Sequence, residues 1–184
     1  MNQINSKKNN PLELFLKEIG ENPNRDEICQ KRIMNGYKEA LDGYKEIDFN
    51  ITKFNNQTNY DEIVLLQGIP MISFCEHHML PITGKIHFGY MPDKFIIGLS
   101  KIPRIVNHVC RKMSLQEKIA SNIAEIFHKH IQDLGVAMQV SAKHMCMSVR
   151  GIKTDCIDVK TCYFDGVFKN NNTMQNKFFK MLEL

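Results

Sequence analysis

The stretch "EIVLLQGIPMISF", residues 62–74, admits few conformations. It is dense in branched apolar residues, which suit a pleated, half-buried surface, and Gly68 and Pro70 interrupt it too closely for a stable helix. We read strands near 61–74, 83–91 and 94–99, preceded by a polar, loop-like stretch over 42–60. Two helices with separate start signals follow. The first has Ser100 as its N-cap, Pro103 in the first turn, and Ile102, Ile105, Val106, Val109 and Met113 as an apolar stripe. The second opens at Ser114, where "SLQE" has the form of a capping box, carries Ile119, Ile123, Ile126 and Phe127, and ends by Gly135. Strands resume over 136–149 and 156–168, and "TMQNKFFKML" predicts a terminal helix. Strands, two helices, then strands again describe an α+β fold, with helices laid on an antiparallel sheet.

Upstream, residues 1–10 read as disordered, "PLELFLKEIG" as a short helix stopped by Gly20, and Asp26 to Leu41 as a second helix. The expected organisation is a helical appendage over 1–60 and one α+β domain over 61–184. The net charge is +4, from 24 Lys and Arg against 20 Asp and Glu. These charges are scattered, which suits a small anionic ligand and argues against nucleic acid as a partner. No apolar run approaches the roughly 20 residues of a membrane-spanning helix. The polar start lacks the pattern of a signal peptide, so a cytoplasmic location without a membrane partner is expected. In a reducing compartment the six cysteines are no sign of disulfides; Cys29 and Cys110, in helical segments without ligand-type neighbours, read as small buried residues.

Cys75 and Cys146 stand apart from the other four. Cys75 and His78 have C-x-x-H spacing on a turn before Pro81, which lets both side chains reach one metal ion. In an extended strand His144, Cys146, Ser148 and Arg150 share a face, leaving Met145 and Met147 to fill core gaps on the other. If Cys146 is the third ligand, two thiolates and one imidazole suit Zn²⁺ and leave one position for water, as in catalytic sites. A closed structural site, with Cys156, Cys162 or His87 as fourth ligand, fits the spacing as well.

Taken together, "CEHHMLP", "GKIHFGYMP", "GLSKIPRIV", "LQEK" and "HMCMSVRG", in this order and at these separations, resemble GTP cyclohydrolase I from about Asp61 onward. The resemblance implies the tunnelling fold and a homo-oligomeric ring, a decamer in bacterial members, with sites at subunit interfaces. It implies conversion of GTP to 7,8-dihydroneopterin triphosphate and formate, the entry to folate and other pterins. It also implies Cys75, His78 and Cys146 as zinc ligands and His77 and His144 in acid/base roles. Gln116 and Glu117 would hold the guanine, and Ser100, Lys101, Arg104 and Arg150 the ribose and triphosphate.

Elementary chemistry asks for several of these residues independently. Lys101 and Arg104 lie in the first turn of a helix, where free N–H groups and the dipole favour anions, and Arg150 adds a planar fork for phosphate oxygens. Glu117 would have a competing structural task in the capping box. His128 and His130, two apart on a helix, face different ways and are poor joint ligands; His87 and His108 read as structural or surface residues. A non-catalytic metal-stabilised oligomer and a related nitrile reductase of the same fold are the competing readings. A zinc nucleobase deaminase lacks support, since its H-x-E and P-C-x-x-C pairing is absent.

Overall fold

Alternation of side chains across a pleated strand explains how the chain builds two apolar layers on one sheet. In this computed structural model, which describes residues 10–22, 27–154 and 157–183, Ile86, Phe88 and Tyr90 are fully buried on one face. The residues between and beyond them serve the other face: a Cβ at Gly89 would stand 3.0 Å from the Phe178 ring, and Met91 clusters with Phe178. Gly89 is therefore a contact requirement, because any side chain there would displace the Phe178 ring.

The chain divides into two compact units, over 1–40 and 41–184. The described part of the first holds α1 (Pro11–Glu18) and α2 (Glu27–Ala40). Asn10 caps α1, its side chain accepting from the Leu12 N–H, and Pro11 supplies the fixed φ of a first helical residue. Disorder expected over 1–10 and the start of the second helix at Asp26 fall mainly outside the described residues.

The second unit contains β1 (Lys53–Asn55), β2 (Val64–Cys75), β3 (Pro81–Pro92), β4 (Phe95–Ile97), α3 (Lys101–Cys110), β5 (Met113–Ser114), α4 (Gln116–His130), β6 (Asp133–His144), α5 (Met145–Ser148), β7 (Val159–Phe164) and α6 (Asn172–Glu183). Five strands form a sheet in the order β5-β2-β3-β6-β7, while β1 and β4 make a separate pair. Among the described residues every pairing is antiparallel except β2 with β5, which is parallel over Phe74–Met113 and Cys75–Ser114. A bulge between Leu66 and Ile69 bends β2; Gly68 occupies it at φ +70°, a conformation that favours glycine.

On one face α3 and α4 bury Ile102, Ile105, Val106, Val109, Ile119, Ile123 and Phe127 against the sheet. Phe127 sits 5.0 Å from the Phe88 ring and 5.1 Å from Tyr90, both edge-on. Truncating such a ring costs about 3–5 kcal/mol through lost burial and the cavity left behind. The expected α+β architecture with two helices on one face is therefore present.

Three local expectations are corrected. The polar stretch 42–60 is not all loop: it holds a 3₁₀ turn at Asp42–Tyr44 and strand β1. Ser114 does not open a capping box: it lies in β5, its hydroxyl donates to the Leu115 carbonyl, and Leu115 occupies the N-cap of α4 without a side-chain bond. Parallel pairing with β2 claims the backbone of Ser114, so Glu117 has no capping task. Finally, the strand expected over 136–149 stops at His144, and Met145–Ser148 turn into α5. The sheet ends where β3 begins, so beyond His144 the chain has no partner to pair with and closes its own hydrogen bonds, Val149 N–H to Met145 C=O at 2.9 Å.

Candidate functional site: a two-thiol, one-imidazole corner

Cys75 is the last residue of β2, buried at the sheet margin. The chain then reverses: Cys75 N–H donates to the Leu80 carbonyl, Met79 N–H donates to the Cys75 carbonyl, and Met79 takes a left-handed φ of +55°. This tight loop leaves Glu76, His77 and His78 exposed at its tip. Pro81 restarts pairing opposite Phe74, and one residue later Ile82 pairs with His144 at the end of β6. The first turn of α5 then folds Cys146 back toward Cys75. One ligand atom each from Cys75, His78 and Cys146 lies within 4.8 Å of the others, and Cys75 Sγ stands 3.7 Å from His78 Nδ1.

The donor set fits a metal ion. Two sulfurs and an imidazole nitrogen are soft donors, and ligand atoms around a tetrahedral zinc ion lie about 3.5–3.8 Å apart given its bond lengths. Burial and the neighbouring Cys75 sulfur push the Cys146 thiol above its ordinary range, with Arg150 pulling the other way. A cation between the two thiols would remove that penalty. Among the described residues no fourth His, Cys, Asp or Glu joins the group. His87 instead accepts the Gly68 N–H at the β2 bulge, Cys162 is exposed on β7, and Cys156 lies outside the described residues. Cys110 is inert by environment, burial alone raising its thiol to about 12.

Parallel pairing of Cys75 with Ser114 brings the start of α4 to the same corner. Gln116 is 2% exposed, and its Oε1 lies 2.7 Å from His144 Nε2. Its amide nitrogen donates to the Val159 carbonyl at 2.9 Å and lies 3.3 Å from Thr161 Oγ1. Glu117, the next residue, is exposed. Burial lowers the His144 pKa, and Glu117 opposes that shift. His77 Nδ1 is 3.9 Å from Cys75 Sγ, and Arg150 Nη1 is 2.6 Å from His78 Nε2. Lys118 reaches Glu76 at 3.7 Å, an ion pair between α4 and the loop that sequence reasoning left unassigned.

Cys75, His77, His78, Gln116, Glu117, His144, Cys146 and Arg150 thus converge, whereas Ser100, Lys101 and Arg104 do not join them. These three occupy the start of α3, whose ten residues run about 15 Å before β5 reaches Cys75. Ser100 holds the N-cap position without a side-chain cap bond. Arg104 lines a separate cleft of about 450 Å³ with Asp42, Asp48, Asn107 and Arg111. Nothing in local spacing marks the contacts of Gln116, because its partners Val159 and Thr161 are 43 and 45 residues away.

A family model described as GTP cyclohydrolase I matches residues 9–183. The chain is 40% identical to GTP cyclohydrolase 1 of Rickettsia prowazekii over 172 residues, covering 91% of this chain and 90% of that protein. It is 43% identical to the bifunctional protein FolKE of Lactococcus lactis over 182 residues, covering 94% of this chain and 52% of that one. Among solved structures, the archaeosine synthase QueF-Like in its apo form matches with a TM-score of 0.47 and 15% identity, over 58% of this chain and 96% of that one. With the family match spanning nearly the whole chain and a relative at 40% identity over nine-tenths of both lengths, the chain belongs to the GTP cyclohydrolase I family of enzymes.

Proposed function

We propose that this enzyme converts GTP to 7,8-dihydroneopterin triphosphate and formate, feeding folate or other pterin synthesis, with Zn²⁺ held by Cys75, His78 and Cys146. The observation that carries the reading is the convergence of those three ligand atoms, within 4.8 Å of one another, at a corner that also holds His144 and Glu117. Zinc bound there would supply Lewis-acid activation of water at neutral pH. His144 and His77 are the groups that move protons, one to N7 of the purine so that C8 becomes open to attack by water. The exposed Glu117 carboxylate accepts the two donors of the guanine edge and so rejects adenine, which would leave a polar group unpaired.

Arg150, beside His78, takes phosphate oxygens. Ser100, Lys101 and Arg104 hold the ribose and triphosphate from a second subunit. That assignment is supported by their position a helix length from the metal corner of their own chain, and it makes the enzyme a homo-oligomer, in the family's manner a decamer. The catalytic domain in this reading runs from residue 61, after an amino-terminal appendage over 1–60, and works in the cytoplasm.

The test is incubation of purified protein with GTP, with and without a chelator, while formate and a fluorescent oxidised pterin are followed. Chelator-sensitive formation of both supports the proposal. Metal-loaded, oligomeric protein that leaves GTP intact overturns it in favour of a metal site that only stabilises the fold.

A further inference from the structure

We propose that Gln116 is a positioning residue for His144: it holds the imidazole with its hydrogen on Nε2 and leaves Nδ1 as the nitrogen that exchanges a proton with the substrate. The role of His144 rests on the function proposed above; the hydrogen's location rests on geometry alone. The Gln116 amide nitrogen faces the Val159 carbonyl at 2.9 Å, Thr161 Oγ1 at 3.3 Å and the Val140 carbonyl at 3.4 Å. Backbone carbonyls only accept hydrogen bonds, so the nitrogen must lie on their side. Reversing the amide would set its oxygen against two carbonyl oxygens at those distances, a buried arrangement with no hydrogen between them.

The amide oxygen is thereby committed to His144. An amide oxygen only accepts, so at 2.7 Å the His144 Nε2 must be the donor. In a neutral imidazole Nδ1 then carries the lone pair. The anchor is rigid because Val140 and Thr161 are a paired rung of β6 and β7, so the ring is registered to the sheet rather than to a loop. The same contacts use the amide's donors and its oxygen inside the protein, 2% exposed. Guanine recognition therefore falls to Glu117, one residue on and exposed.

Nitrogen-15 magnetic-resonance spectra of histidine-labelled, zinc-loaded oligomer at one neutral pH test this directly, with His144→Asn identifying the His144 signal. A protonated Nε2 and unprotonated Nδ1 are expected. In Gln116→Met the preference for Nε2 should be lost and kcat should fall about 10–100-fold, the usual cost of removing a group that orients an active side chain, with KM for GTP changed little. Thr161→Val, which loosens the anchor with little change in volume, should lower kcat less and in the same direction.

A hydrogen found on Nδ1 of the wild type overturns the proposal. So does a raised KM in Gln116→Met with kcat and the His144 signal unchanged, which would return Gln116 to guanine binding. If the methionine variant does not assemble, the wild-type spectrum and Thr161→Val still decide. If wild-type protein does not turn over GTP, the proposed function fails, while the spectrum still reports where the hydrogen sits.

Discussion

The two ends of β6 border histidines in opposite circumstances: His144 is the strand's last residue, and His128, on α4, packs against its first. At its carboxyl end, His144 meets one neutral amide through Nε2. At its amino end, His128 lies between two carboxylates, with Nδ1 2.8 Å from Asp133 and Nε2 2.7 Å from Asp165. Burial lowers the His144 pKa. Burial also acts to lower His128, but hydrogen bonds to Asp165 and Asp133 outweigh it and leave this pKa raised.

An imidazole between two carboxylates must donate from both nitrogens, so it is held as a cation with no lone pair for chemistry. Asp133 Oδ1 accepts the Gly135 N–H and Asp165 Oδ1 the Val136 N–H. The cation therefore fastens the end of α4 to the start of β6 and the turn after β7. The same residue type keeps one nitrogen uncommitted at one end, as the proposed proton carrier must, and is a structural clamp at the other; the partners decide which.

The largest effect should come from breaking the His144 end, the proposed catalytic one, alone. Cys146→Ala removes one of the three proposed metal ligands and should lower turnover by more than about 100-fold, beyond what loss of a supporting contact costs. Metal analysis should show the ion lost, while circular dichroism shows the fold retained. Glu117→Ala comes next: if Glu117 holds the guanine edge as proposed, losing its charge-assisted bonds, about 1.5–3 kcal/mol, should lower kcat/KM for GTP about 10–150-fold. Steady-state kinetics on an assembled variant would measure it.

At the other end the expectation reverses. His128→Ala leaves the Asp133 carboxylate, whose side chain is 1% exposed, without its cation, and should destabilise the fold by about 1–3 kcal/mol with kcat unchanged. Urea unfolding and GTP kinetics on the same sample would break the comparison if activity fell and stability held. The smallest effect is one of pH. Because the folded pKa of His128 is raised above its unfolded value, its stabilisation is complete below about pH 6.5 and is lost as pH rises through the folded value. The stability gap between wild type and His128→Ala should therefore be wider at pH 6 than at pH 9. Asp133 sharpens the same point: burial outweighs the pull of His128 and raises its pKa, so its charge there depends on the histidine being cationic.

How much of this was legible in advance differs along the chain. The strand from 64 to 75 and the helices after Ser100 follow from local composition and periodicity, and they appear within a few residues of expectation. C-x-x-H spacing is likewise a local property, and Cys75 and His78 do meet. Reading His144 to Arg150 as one strand face failed because pairing, not propensity, sets where β6 stops. Reading Ser114 as a capping residue failed for a related reason: its backbone pairs with Cys75, 39 residues earlier, and that contact outranks a local signal worth about 1 kcal/mol.

What the sequence by itself determined is the order of elements, the family, and the residue types available for chemistry, because motif spacing and apolar periodicity are carried by neighbours in the chain. Only the tertiary structure decided that Arg150 reaches His78 across 72 residues and that Gln116 faces inward to His144 while Glu117 is left exposed. It also set Lys101 and Arg104 a helix length from the corner of Cys75, His78 and Cys146. Those outcomes depend on strand order and register, which arise when distant apolar faces are buried together, and no short window of sequence contains both sides of such a contact.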